Sequence, residues 1–123
     1  MSKTPAQRQT EELRRTLLVI LHEAGVAIRA KTARQIMDDF NQSTTWDDFL
    51  AQLEYLAGEE LVRVFPSNAD NELSVVEQAR YLAFCRRIQW DAPEADKVMV
   101  RIRQKGKHFL EGNARDVVGV ALA

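Results

Sequence analysis

The sequence predicts an α+β domain with three helices at the front, a small cationic antiparallel ribbon behind them and a closing C-terminal helix. Apolar residues recur at three- and four-residue spacing from Leu13 to Ala57, and the period shortens to two around Val98 to Ile102. The chain is 123 residues long, enough for one domain that buries a core without metals or disulfides. A single domain over 1–123 is therefore expected, with a frayed stretch over 1–10 and a packing or dimerising tail over 113–123.

Composition narrows the class. Hydrophobic residues make up 46% and charged residues 28%, globular values that argue against a disordered or fibrous chain. The longest apolar run, Leu17 to Leu21, is far too short to cross a bilayer, so no membrane partner is expected. Met1 to Gln9 is polar where a secretory signal needs an apolar stretch, which points to a cytoplasmic address. Cys85 is the only cysteine; it excludes an intrachain disulfide, offers no zinc spacing and reads as a small buried hydrophobe.

Thr4-Pro5 followed by Gln7 has the form of a capping box with proline at the first helical position. Leu13, Leu17, Ile20, Leu21 and Ala24 then mark one apolar stripe, and Gly25 supplies a left-handed stop. Val26 to Ile28 fits a brief strand. Thr32 can cap a second helix with Gln35 at the third position, whose buried face would be Ala33, Ile36, Met37 and Phe40. Asn41 to Thr44 is a polar turn, and Thr44 or Thr45 can cap a third helix with Asp47 or Asp48 in its electropositive first turn. Trp46, Phe49, Leu50, Leu53, Leu56 and Ala57 carry its stripe.

Leu61 to Phe65 then reads as an edge strand closed by Pro66 and Ser67-Asn68. Leu73 to Trp90 fits two periods: Val75, Val76, Ala79, Leu82 and Ala83 suit a helix, whereas Leu82, Phe84, Ile88 and Trp90 suit a strand. The preferred reading is a helix from Ser74 to about Phe84 that passes into a strand pairing with Lys97 to Arg103 across the turn Asp91 to Asp96. Within Lys97 to Arg103, Val98, Val100 and Ile102 point one way and Met99, Arg101 and Arg103 the other. Lys105-Gly106 breaks that strand, and His108 to Gly112 reads as the closing helix.

The near-neutral total charge of −1 conceals an asymmetry. Ser43 to Glu60 holds five acids and no base, while Arg80 to Lys107 holds eight bases and three acids. Two faces of opposite potential are expected.

Two stretches carry a resemblance. Ser43-Thr44-Thr45 through Leu53-Glu54-Tyr55-Leu56 to Glu60-Leu61-Val62-Arg63-Val64 looks like a recognition helix running into a first wing strand. Val100-Arg101-Ile102-Arg103-Gln104-Lys105-Gly106-Lys107-His108-Phe109-Leu110-Glu111 is similar to a second wing strand and closing helix. With the order of elements, they resemble the winged helix-turn-helix superfamily, particularly ArsR-, MarR- and PadR-like domains and the small winged-helix proteins of Mu-like phages and prophages. Glu60 stands before Leu61-Val62 where those proteins often carry glycine. The resemblance implies a non-catalytic, DNA-binding regulator or accessory factor.

Arg101, Arg103, Lys105 and Lys107 recur at every second position, so in an extended wing they would line one face and track the phosphates of double-stranded DNA. Arg86, Arg87 and Lys97 are further cationic candidates, and Thr44, Thr45 and Gln52 are the neutral readers of the third helix. Its acids Asp47, Asp48 and Glu54 support another use, docking of a basic protein or a second copy. Trp46 and Tyr55, with Val117 and Leu122 of the tail, are the interface candidates for a homodimer or partner. His22 and His108 lie far apart, and the adjacent pairs Asp38-Asp39 and Asp47-Asp48 diverge around a helix. No catalytic, metal or cofactor residues are assigned.

Overall fold

In a computed structural model, which describes residues 3–69, 72–112 and 117–122, helix α1 (Pro5–Ala24) starts on the expected capping box. The Thr4 hydroxyl accepts from the Gln7 amide at 3.1 Å, and the Gln7 side chain accepts from the Thr4 amide at 2.8 Å. Gly25, with φ 71°, ends the helix in the left-handed region where glycine carries no Cβ penalty. Residues 1–2 of the stretch expected to fray, and 113–116 and 123 of the expected tail, lie outside the described residues.

Strand β1 (Ile28–Arg29) leads straight into α2 (Ala30–Asp39). Thr32 does not cap α2, because the helix begins two residues earlier at Ala30, and Arg29 occupies the cap position without a side-chain bond. Ala30 is completely buried, and burying it against the core outweighs the hydrogen bond that a later start would give. Phe40, expected in the core, follows the last helical turn and is 59% exposed; Ala30, Ala33 and Met37 are the buried residues of α2.

Thr45 caps α3 (Trp46–Gly58), its hydroxyl accepting from the Asp48 amide at 3.1 Å. All six residues of the anticipated stripe, from Trp46 to Ala57, are buried. The chain turns out of α3 through Glu60, whose φ of 63° is left-handed, and enters β2 (Val62–Pro66).

Between β2 and the next strand comes α4 (Val75–Cys85), capped by Ser74 with Glu77 in a reciprocal box, and then a single 3-10 turn over Pro93–Lys97. The expected strand from Arg86 to Trp90 does not form: those residues are turn and irregular backbone. The reason lies in β3 (Val98–Ile102), both of whose edges are taken. It pairs antiparallel with β1 through Ile28↔Val100 and with β2 from Val62↔Ile102 to Pro66↔Val98, giving the order β1-β3-β2. A third partner has no ladder to join. In place of pairing, α4 lies along the outer edge of β2, where the Gln78 side chain accepts from the Val64 amide at 2.8 Å.

The closing helix α5 (Gln104–Leu110) starts four residues before the predicted His108, and Lys105-Gly106 lies inside it. Gly106 is buried because it packs: a Cβ there would stand 2.5 Å from the Leu61 carbonyl oxygen and 2.7 Å from Ile102 Cγ1. That carbonyl cannot retreat, since it accepts from the Arg103 amide at 2.9 Å.

Among the described residues the architecture is thus α+β: five helices and one three-stranded antiparallel sheet. Val62, Val64, Val98, Val100 and Ile102 face the helices, while Arg63, Met99 and Arg101 face outward.

Two substitutions test this packing. Glu60→Gly should raise stability by about 1 kcal/mol by relieving the left-handed strain, read as a shift in the urea midpoint. Gly106→Val should lower it by about 1–3 kcal/mol through overpacking, and an unchanged midpoint would refute the close approach of α5 to Leu61.

Candidate nucleic-acid interface

Strand alternation sends Arg63 of β2 and Arg101 of β3 to the outer face of the sheet, and the register sets them directly opposite each other. Arg103 follows on the same side, and Arg29 of β1 is the register partner of Met99 in the neighbouring row. Like charges facing one another across strands are unfavourable. Glu72 offsets them: it bonds Arg101 at 2.8 Å and also pairs with Arg63. Burial of the Arg63 head, and after it the like charges of Arg103 and Arg101, hold its pKa below the usual arginine value. A depression of about 190 Å³ opens here between Arg63, Phe65, Glu72, Leu73 and Arg101.

Arg63 and Glu72 were not singled out in the sequence. Arg63 is one base in an apolar strand, and only the register that places it against Arg101 gives it weight. Conversely, Arg101, Arg103, Lys105 and Lys107 do not share one extended face. Lys105 and Lys107 belong to α5, and the Lys105 ammonium donates to the Glu59 carbonyl at 2.8 Å, beyond the last turn of α3.

The neutral readers of α3 are engaged elsewhere. The Thr45 hydroxyl caps the helix and the Thr44 hydroxyl donates to the Thr45 carbonyl at 3.4 Å. Gln52 accepts from Arg14 Nε at 2.7 Å, on the side of the helix that faces α1. The acidic side of α3 is met by Arg86, which lies 3.6 Å from both Asp47 and Glu54. The two expected faces of opposite sign are therefore in contact here, because the turn after α4 folds back onto α3.

Trp90 completes that return. Its ring meets Trp46 edge-on at 5.2 Å, and Lys31 and Arg34 lie over it at 4.4 and 4.6 Å. Trp46 is buried, and the Tyr55 hydroxyl donates to the Val118 carbonyl. Of the remaining interface candidates, Val117 is buried and Leu122 is exposed. Arg87 and Lys97 are exposed, and neither has a carboxylate within 4.0 Å among the described residues.

No family model, curated protein or solved structure matches the chain.

Both histidines are engaged in local structure. His22 stands 3.5 Å from Glu111, and His108 shares a hydrogen bond with Gln104. Among the described residues no three His, Cys, Asp or Glu side chains gather as metal ligands, and no helix is long and apolar enough to cross a membrane. Cys85, the last residue of α4, is buried beside Tyr81, and desolvation pushes its thiol up to about 11.

The folded state thus holds the Cys85 proton more tightly than the unfolded chain does. The stability this contributes is complete below the ordinary thiol value of 9.0 and is lost as pH rises toward about 11. Denaturation midpoints should fall across that window in the native protein and fall less in Cys85→Ala. At pH 8 a thiol reagent should label the protein only after urea is added; equal labelling rates with and without urea would show the site to be open.

Proposed function

We propose that the chain is a winged-helix-type, non-catalytic nucleic-acid-binding domain that holds the phosphate backbone on the arginine face of its sheet and does not insert α3 into a groove. The observation that carries this reading is the cross-strand pair Arg63 and Arg101 with Arg103 beside them, three cations on one surface, of which Arg63 and Arg101 share the Glu72 carboxylate. Such an arrangement costs folding energy, and a polyanion that takes the place of Glu72 offsets that cost. Helix, short strand, helix, helix and two long strands is the winged-helix order. Here the wing is opened by α4, and Glu60, standing where that superfamily often carries glycine, has a left-handed φ. An acidic α3 clasped by Arg86 has neither the charge nor the freedom to read bases. The resemblance to small phage and prophage winged-helix proteins fits an accessory or regulatory factor, with double-stranded DNA as ligand.

A second reading, a protein-docking module, is favoured by α4, on which Val75, Val76 and Phe84 remain exposed. The two separate in one experiment. If Arg63, Arg101 and Arg103 each neutralise a phosphate, the slope of log K against log salt should be about −2.7 on duplex DNA. Arg101→Glu with Arg103→Glu should abolish binding, and Glu72→Gln should strengthen it several-fold at low salt, roughly as one added cation does. Unchanged retention of DNA by the double charge reversal rejects the arginine face.

A further inference from the structure

The depression on the outer face of the sheet combines charged and apolar walls. Arg63 and Arg101 face each other across β2 and β3, and alternation puts Phe65 on the same face of β2 as Arg63, two residues further along. Leu73, from the loop before α4, adds a second apolar wall. Hydrogen-bonding capacity here is lopsided. Two guanidinium groups and the Gln78 amide border the space, against the carboxylate of Glu72 among the described residues. The Gln78 oxygen is taken by the Val64 amide at 2.8 Å, so what that side chain has left is its Nε2 donors. Arg63 Nη1 is buried and, although it pairs with Glu72, makes no hydrogen bond. A buried charged donor without a bond is unfavourable, and an added acceptor would relieve it.

Glu72 is the movable piece. It belongs to the loop before α4 and its side chain is 53% exposed, so swinging it into water gives up little burial. Arg63 and Arg101 then present two positive charges to a space of about 190 Å³. A cavity of roughly 150 Å³ holds a benzene ring, so the space takes one small ring beside a charged group and excludes a whole nucleotide.

We infer that this depression is a binding site for a phosphate monoester, whose dianionic head takes the place of Glu72 between Arg63 and Arg101 and whose organic group, no larger than one small ring, lies against Phe65 and Leu73. Such a head carries about −1.5 to −2 charges at neutral pH and three strong acceptor oxygens, which match two forked guanidinium donors. A phosphodiester within a strand carries one charge and continues on both sides, so it lies across the face without entering. Two sources supply a monoester: a small organic phosphate, and the phosphorylated end of a nucleic-acid strand, whose terminal sugar is the ring. The site shares Arg63 and Arg101 with the proposed DNA-backbone surface but does not depend on duplex binding.

The test is calorimetric titration of the full chain with phenyl phosphate, with inorganic phosphate and benzenesulfonate as comparisons. Phenyl phosphate should bind at least about tenfold more tightly than either, since inorganic phosphate lacks the ring and benzenesulfonate the second charge. Arg101→Gln should weaken phenyl phosphate by at least about tenfold, Glu72→Gln should strengthen it, and Leu73→Ser should weaken it while leaving inorganic phosphate unchanged. Equal affinity for phenyl phosphate and benzenesulfonate overturns the inference, as does unchanged binding by an Arg101→Gln variant that keeps its cooperative thermal transition. Should that variant fail to fold, Glu72→Gln decides: a variant that gains no affinity counts against displacement of the carboxylate. Short duplexes with phosphorylated and with hydroxyl ends separate the sources, tighter binding of the phosphorylated duplex assigning the site to strand ends and equal binding assigning it to a free organic phosphate. Phenyl phosphate bound by a chain that ignores both duplexes upholds the site and removes the DNA-backbone reading; duplex binding without phenyl phosphate removes the site alone.

Discussion

Strand β3 holds this molecule together because both of its hydrogen-bonding edges are in use. On one side it takes β1, the two residues that enter α2; on the other it takes β2, the strand that leaves α3. The entrance and the exit of the helix pair are thereby fixed to the same five residues, and the angle between α2 and α3 has little freedom. Val98, Val100 and Ile102 press into the helices from below, so the ladder and the apolar core are two faces of one strand. Alternation then sets what remains on the outside: once the valines are committed inward, Arg101 faces water and meets Arg63.

The segment joining β2 to β3 has a different character from a hairpin tip. It contains a capped helix and a 3-10 turn, and it returns across α3 as far as Trp46. Arg86 and Trp90 bring a cation and an aromatic ring to the side of α3 that would otherwise be open and acidic. Segments of opposite charge in the sequence are close neighbours in space, and the local field over α3 is weaker than its composition suggests.

Much of the helical framework was legible because its signals are local. The caps at Thr4, Thr45 and Ser74 and the stripe from Trp46 to Ala57 depend on residues within a few turns of one another. What escaped depends on distant contacts. Whether Arg86 to Trp90 pairs with β3 was decided by the prior claims of β1 and β2, which no window around Trp90 contains. Gly106 looks like a helix breaker in its own neighbourhood and becomes a packing residue only against the Leu61 carbonyl. Of the candidate surface, Arg101 and Arg103 were recognised from their alternation, while Arg63 and Glu72 needed the strand register. Gln52 and Tyr55 sat on the anticipated helix, but which of its sides they face is set by Arg14 and by residues 117–122.

The placement of α4 against β2 has a colloidal consequence. An open strand rim is a template onto which other chains can crystallise as further strands, and five-residue β2 would be the obvious nucleus. With α4 alongside and Gln78 occupying the central Val64 amide, that rim is insulated, and the opposite one is only the two residues of β1. The sheet consequently offers little rim for further strands to join, in a chain whose net charge of −1 itself gives little repulsion.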